Sequence, residues 1–380
     1  MELTGIFNQL FGDGERPAEY HCPGRVNLIG EHIDYSGGLV MPAAISLGIN
    51  ALYRTSGNKR IRVHSTNFNS TVQFDLEQLP ATKQGEWSDY ILGVIHHLKT
   101  KDLVVNGCDI LISSDLPVGS GLSSSAALEV LFYFMLTLEN GATEPNRITM
   151  AVDCQKIENQ FIGVNCGIMD QFAVANGISD HAMMLNCASL EYDPIPVNLG
   201  EFDLLIINSN RPRKLSESAY NQRRSECEEA VSIIQRSRSI QHLVEAQLED
   251  LKTLENPVIR KRAQHVITEH QRVLDAAMAL RQNDLYKFGQ ILNESHRSLK
   301  EDYEVSCAEL DTIVSFAKQT EGCLGARMTG AGFGGCCIAL IRSTAISQLK
   351  NELSEVYSAR FGYDPTFHAC KLSAGVRKIT

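Results

Sequence analysis

The stretch Leu116-Pro117-Val118-Gly119-Ser120-Gly121-Leu122-Ser123-Ser124-Ser125-Ala126-Ala127 constrains this chain more than any other. The apolar run Cys108-Asp109-Ile110-Leu111-Ile112-Ser113 before it reads as a strand. The run 126–136 after it is apolar on nearly every side, the pattern of a buried helix. A glycine-rich turn therefore leads from a strand into serines at a helix start. Glycine lets backbone approach a ligand closely. The free N–H groups and dipole of the helix N-terminus favour an anion. Serine hydroxyls bond phosphate oxygens or ligate Mg²⁺. The combination predicts a nucleotide-phosphate site. The competing reading is that Ser124 and Ser125 only cap the helix. No Gly-Lys dipeptide occurs, so a Walker A loop is excluded.

A chain of 380 residues predicts two or three domains, two being simplest. With 43% hydrophobic and 21% charged residues it has the make-up of a globular protein with sizeable cores. Its net charge of −10 argues against general nucleic-acid binding. Residues 1–7 lack the basic and apolar regions of a signal peptide, and the most apolar run, 126–138, is too short to span a bilayer. Eleven cysteines without a secretion signal point to reduced thiols and a cytoplasmic location. There is no Cys-x-x-Cys or His-Glu-x-x-His to hold zinc, and Cys336-Cys337 reads as core.

Residues 2–11 predict a short amphipathic helix. The tract 20–38 carries Arg25, Asn27, Glu31, His32 and Asp34 between apolar anchors, and its glycines at 24, 30, 37 and 38 predict loop rather than regular structure. Such dense hydrogen-bonding groups suit a polyhydroxylated ligand, whose hydroxyls bond carboxylates and whose oxygens accept from Arg or His. Strands are predicted at 48–54, 61–64 and 71–74, and Trp87 opens a predicted helix. His96 and His97, adjacent in that helix, do not face one ligand.

A helix from Pro145 to about Phe161 carries Glu158. Asp170 follows in apolar surroundings that call for a partner, and Arg25 is a candidate; capping a helix is the alternative. Strands at 183–185 and 203–207 precede a helical region, 217–319. There Arg224 and Glu228 form an exposed i,i+4 pair. The change of texture near Pro194 and Pro196 marks a domain boundary. In the last glycine cluster, 325–341, Gly330, Gly332 and Gly335 fit Gly-x-Gly-x-x-Gly, but a strand follows where a dinucleotide site needs a helix. A glycine hairpin between strands fits better.

Three tracts in this order and spacing, Pro23-Gly24-Arg25-Val26-Asn27-Leu28-Ile29-Gly30-Glu31-His32-Ile33-Asp34-Tyr35, residues 116–127 and residues 325–336, resemble the motifs of the GHMP small-molecule kinases, nearly end to end. The first narrows the resemblance to the galactokinase branch, with a bacterial texture. Ser36 stands where that branch usually has Asn. The resemblance implies a two-domain α/β (α+β) fold, 1–197 and 198–380, with the active site in the interdomain cleft. It implies transfer of the γ-phosphoryl of MgATP to the anomeric hydroxyl of α-D-galactose, opening galactose catabolism by the Leloir pathway.

It further implies Asp170 and Arg25 as catalytic, and Glu31, His32, Asp34, Gly167, Asp170 and Tyr220 as sugar contacts. It gives the ATP phosphates to Gly119, Ser120, Gly121, Leu122, Ser123, Ser124 and Ser125, and Mg²⁺ to Ser124, Ser125 and Glu158. Phosphoryl transfer is mostly positioning and electrostatics, which suits an arginine beside an aspartate. No nucleic acid or membrane partner is implied; oligomeric state is not readable, and a monomer is compatible. An N-acetylgalactosamine kinase shares these motifs, whereas the first tract argues against mevalonate. A non-catalytic sugar sensor would depart from the pattern in the serine loop, which is complete.

Overall fold

The computed structural model describes residues 3–117, 121–211 and 216–380, so Gly119 and Ser120 of the serine loop lie outside the described residues. The first difference from the sequence reading is at its sugar-type motif. The part before Leu28 is not loop but strand β1 (Ala18–Asn27), with Tyr20, Cys22 and Val26 in the core. Its glycine is explained by a bulge. The register against β3 (Pro42–Thr55) shifts between Pro23 and Arg25, and a Cβ on Gly24 would lie 2.5 Å from Leu116 Cδ2 and 2.7 Å from Leu122 O. Glycine thus lets β1 run against the serine loop, where Arg25 N donates to Leu122 O at 3.2 Å.

β1 and β3 belong to a six-stranded sheet with β4 (Arg60–Ser65), β5 (Ser70–Asp75), β6 (Cys108–Ser114) and β13 (Arg377–Lys378), in the order β13-β1-β3-β6-β4-β5. Only β4 and β6 pair in parallel. β1, β3 and β6 are buried at consecutive positions over most of their length, so both faces of the sheet's centre are covered. The helices α3 (Ser124–Glu139) and α5 (Met169–Asn176) pack on β1 and β3, and α2 (Asp89–Thr100) and α4 (Arg147–Ile157) pack on those helices. The helix α1 (Leu3–Phe11) packs Phe7 against Leu52 and Leu111 of β3 and β6. α2 starts two residues after Trp87, because the Asp89 carboxylate gathers the N–H groups of Gln84, Gly85 and Glu86 into a turn.

A three-stranded sheet, β2 (Leu39–Val40), β7 (His181–Asn186) and β8 (Tyr192–Pro196), follows. Pro194 and Pro196 occupy β8 at its edge, where a missing N–H is tolerated. The rest of the chain builds a four-stranded antiparallel sheet, ordered β10-β11-β9-β12, from β9 (Phe202–Asn208), β10 (Cys323–Thr329), β11 (Cys336–Arg342) and β12 (Thr366–Cys370). It is joined by the helices α6 (Ser216–Ile234), α7 (Pro257–Arg281), α8 (Leu285–Glu301), α9 (Ala308–Gln319) and α10 (Ile346–Phe361). β10 and β11 form the expected glycine hairpin, in which Gly330, Gly332, Gly334 and Gly335 all take positive φ. No helix among the described residues is long and apolar enough to cross a membrane.

Candidate active site

The bulge in β1, the start of α5 and the end of the serine loop meet at one ion pair. Arg25, buried, donates from Nε to Asp170 Oδ1 and from Nη2 to Asp170 Oδ2, both at 2.8 Å, and from Nη1 to Gly121 O at 2.5 Å. Ser123 Oγ donates to Asp170 Oδ2 at 2.6 Å. Ser123 occupies the N-cap position of α3, yet it makes no side-chain cap bond and holds the left-handed conformation at φ 64°. Its hydroxyl is spent on Asp170 instead, and a non-glycine residue held there costs about 1–3 kcal/mol, a cost met with at functional sites. Asp170 is therefore not a helix cap. The described residues place three donors on a carboxylate that offers roughly four lone-pair directions, which leaves one direction open among them.

Asp170 lines a cavity of about 550 Å³, together with Arg25, Glu31, His32, Asp34, Glu158, Gly167, Tyr220 and Gly330. The structure brings all the expected sugar-contact residues to this cavity. Asp34 lies so close to Gly167 that a Cβ there would be 1.9 Å from its Oδ2. Burial, and next the charge of Asp170, push the Asp34 carboxyl up to about 6. Glu31 takes a hydrogen bond from Asn27 Nδ2 and one from Gly330 N, and Arg327 Nη2 stands 3.3 Å from it. His32 has positive φ, and both its ring nitrogens are engaged, Nδ1 by Tyr35 Oη at 2.8 Å and Nε2 by Ala331 O at 3.0 Å. Only its ring face and backbone are left for a ligand.

The helix predicted from Pro145 to about Phe161 ends earlier, α4 stopping at Ile157, just before Glu158. That glutamate is buried at the first residue of a π-helical turn, Glu158–Ile162, with Gln171 Nε2 donating to Oε2 at 2.5 Å and Ser125 in hydrogen-bonding reach. Burial, and then Asp170, push its carboxyl up to about 7. A buried carboxylate with no neutralising partner among the described residues, beside a loop hydroxyl, has the chemistry of a divalent-cation ligand.

A second cavity, about 230 Å³, lies on the other side of the loop end and is lined by Ser65, Asn67, Phe68, Trp87, Tyr90, Leu116, Ser124, Ser125 and Leu128. Phe68 and Trp87 stack at 5.6 Å with 20° between their planes, and Phe68 is half exposed. Sequence reasoning missed this pocket. Its residues come from a β-turn, the approach to α2, a strand and α3. The one available signal was an exposed-type turn, Asn67-Phe68-Asn69, carrying an aromatic. Ser123 thus bonds a residue of the polar cavity, while its neighbours Ser124 and Ser125 line the apolar, aromatic one.

The GHMP kinases N terminal domain profile matches residues 89–177, the GHMP kinases C terminal profile residues 276–359, and the galactokinase galactose-binding signature residues 6–55. A galactokinase of Staphylococcus saprophyticus is 44% identical over 387 residues, covering 100% of both chains. One of Clostridium tetani is 42% identical over 382 residues, covering 100% of this chain and 97% of the relative. The crystal structure of Lactococcus lactis galactokinase complexed with galactose superposes with a TM-score of 0.94 at 40% identity over 99% of each chain. A Methanococcus jannaschii mevalonate kinase, 18% identical, shares the fold with a TM-score of 0.69, covering 95% of this chain and 99% of that one.

Proposed function

The chain belongs to the galactokinases of the GHMP kinase family and is an ATP-dependent sugar kinase, and we propose the following division of labour among its residues in making α-D-galactose 1-phosphate. Galactose occupies the polar cavity, with Asp34, Glu31, Gly167 and Tyr220 around its hydroxyls and its C1 hydroxyl toward Asp170. The adenine of ATP occupies the aromatic cavity beside Trp87, and its phosphates follow the loop through Gly121, Leu122, Ser123, Ser124 and Ser125, with Gly119 and Ser120 continuing it. The domains 1–197 and 198–380 supply opposite walls, Asp34 and Asp170 from one and Tyr220 and Gly330 from the other.

The observation that carries this reading is the bidentate Arg25–Asp170 pair between loop and cavity. Asp170 accepts the C1 hydroxyl proton at its open lone-pair direction. Arg25 has five donors and spends three within the protein, which leaves two N–H groups for the oxygens of the transferring phosphoryl. Ser125, Ser124 and Glu158 would hold Mg²⁺, and the raised Glu158 carboxyl fits a ligand waiting for positive charge. When bound, Mg²⁺ offsets charge on the phosphate oxygens. The cytosol is the compartment proposed, as the thiol-rich composition suggests.

A coupled ADP-release assay on galactose, N-acetylgalactosamine, glucose and mevalonate tests the reading. Turnover is expected on galactose, and Asp170→Asn should lower kcat by about 10²–10⁴-fold while calorimetry still detects galactose binding. Retention of kcat within about tenfold in Asp170→Asn would refute the role given to Asp170. Preference for another acceptor would refute the substrate.

A further inference from the structure

Behind the polar cavity, four side chains form one hydrogen-bonded line. Cys227 Sγ of α6 lies 3.1 Å from Tyr303 Oη, Tyr303 Oη lies 2.7 Å from Tyr35 Oη, and Tyr35 Oη lies 2.8 Å from His32 Nδ1. His32 Nε2 ends the line on Ala331 O at 3.0 Å. Counting protons fixes the direction of every bond. Ala331 O can only accept, so Nε2 carries the proton, and a neutral ring leaves Nδ1 as acceptor. Tyr35 must then donate to Nδ1, which leaves its oxygen to accept from Tyr303. Tyr303, its proton spent, accepts from the Cys227 thiol. Burial favours this neutral form of His32, lowering its pKa to about 3.

We propose that Tyr35, Tyr303 and Cys227 are positioning residues for the sugar pocket, a one-way hydrogen-bond chain that fixes the tautomer and ring plane of His32. Two cavity walls depend on that ring. Tyr220 packs on it at 5.4 Å between ring centroids, and its Nε2–H pins Ala331 beside Gly330, whose N–H donates to Glu31. Neither Tyr303 nor Cys227 lines the cavity, yet both reach it through this chain. The line also ties α6 and the segment after α8 to the turn that follows β1, adding to the bonds by which Arg223 of α6 holds Tyr303 O and Glu304 O. Buried hydrogen-bond networks specify one arrangement when every member is satisfied, as here. The proposal rests on the reading of the polar cavity as the galactose site.

Two measurements on the full-length enzyme test it. In ¹⁵N-histidine spectra of the parent, His32, identified by its loss in His32→Gln, should show the neutral Nε2–H tautomer; the Nδ1–H form would overturn the proposal whatever the substrate. In kinetics, Tyr35→Phe leaves Nδ1 unpartnered and should raise the KM for galactose roughly tenfold, and Tyr303→Phe roughly threefold, with the KM for ATP and kcat within about twofold of the parent. Cys227→Ser, which keeps a donor, should behave as the parent, and Cys227→Ala should fall toward Tyr303→Phe. An unchanged galactose KM in both tyrosine variants, or an equal rise for both substrates, refutes the proposal. A parent that turns over a different sugar refutes the cavity assignment instead, and the tautomer result still decides the chain.

Discussion

Gly167→Ala should disable the sugar site while sparing the fold. A Cβ built on Gly167 falls 1.9 Å from Asp34 Oδ2 and 2.8 Å from its Cγ, whereas ordinary contact begins near 3.4 Å. The carboxylate must therefore retreat by about 1.5 Å. Gly167 has no positive φ, so alanine meets no backbone strain, and the obstacle is the end of a side chain at the wall of a cavity. The cost should thus appear in substrate recognition and not in unfolding. Losing a hydrogen bond to a charged group costs about 1.5–3 kcal/mol, or roughly 10- to 150-fold in kcat/KM for galactose. A displacement of this size at a reacting site independently suggests about 10²-fold. Steady-state kinetics with galactose varied, ATP varied, and a melting curve make up the assay. The expected result is a loss in kcat/KM for galactose with the KM for ATP unchanged and Tm moved by no more than about 2 °C. If alanine acts through Asp34, adding it to Asp34→Ala should cost almost nothing more. Full additivity, or a galactose KM within about twofold of the parent, would refute the reasoning.

Three further outcomes follow from the same structure. Trp87→Ala removes one face of the Phe68–Trp87 stack and should raise the KM for ATP about tenfold while leaving galactose binding by calorimetry unchanged; an effect confined to galactose would remove adenine from that cavity. Asp34, its carboxyl pushed up to about 6, accepts a sugar hydroxyl more strongly when ionised, so galactose affinity should fall as pH drops from 7 to 5; a flat titration there would contradict it. Burial is the largest single influence on Glu269 and opposes its ionisation, but Arg272 at 2.7 Å, His265, Arg327 and the Ser295 hydroxyl together outweigh it, and the carboxyl falls from 4.5 to about 2. That shift contributes about 3 kcal/mol of stability that is fully present above pH 4.5 and lost as pH falls through 2. In urea titrations, the stability gap between parent and Glu269→Gln should accordingly narrow over that window, and a pH-independent gap would refute the assignment.

The three glycine-bearing tracts were legible because backbone approach to a ligand leaves a local signature. The Arg25–Asp170 pair was legible for another reason. A carboxylate among Ile168, Met169 and Phe172 needs a counter-charge, and few arginines sit in comparable surroundings. What misled was Gly24, whose absent side chain serves the close passage of β1 by Leu116 and Leu122 rather than a turn. Both uses of glycine look alike in a sequence. The aromatic cavity was illegible because Phe68, Trp87 and Leu128 converge only when β4, β6 and α3 are stacked. The direction of the Cys227–Tyr303–Tyr35–His32 chain depends on which atoms accept and donate across four separate segments, and nothing local encodes that.

The short strand β13 has a consequence for how the molecule is made. It pairs Lys378 with Tyr20 and Arg377 with His21, and Glu19 N donates to Thr380 O at 3.3 Å. Until residue 378 has emerged from the ribosome, β1 is an open sheet edge, able to recruit strands from other chains. The contact joins residues 20 and 378, and pairings so far apart in sequence form late because their closure entropy is spent before any reward. Loss of the β13 pairing, by removal of 377–380, should therefore leave catalytic geometry intact on paper and yield in culture poor.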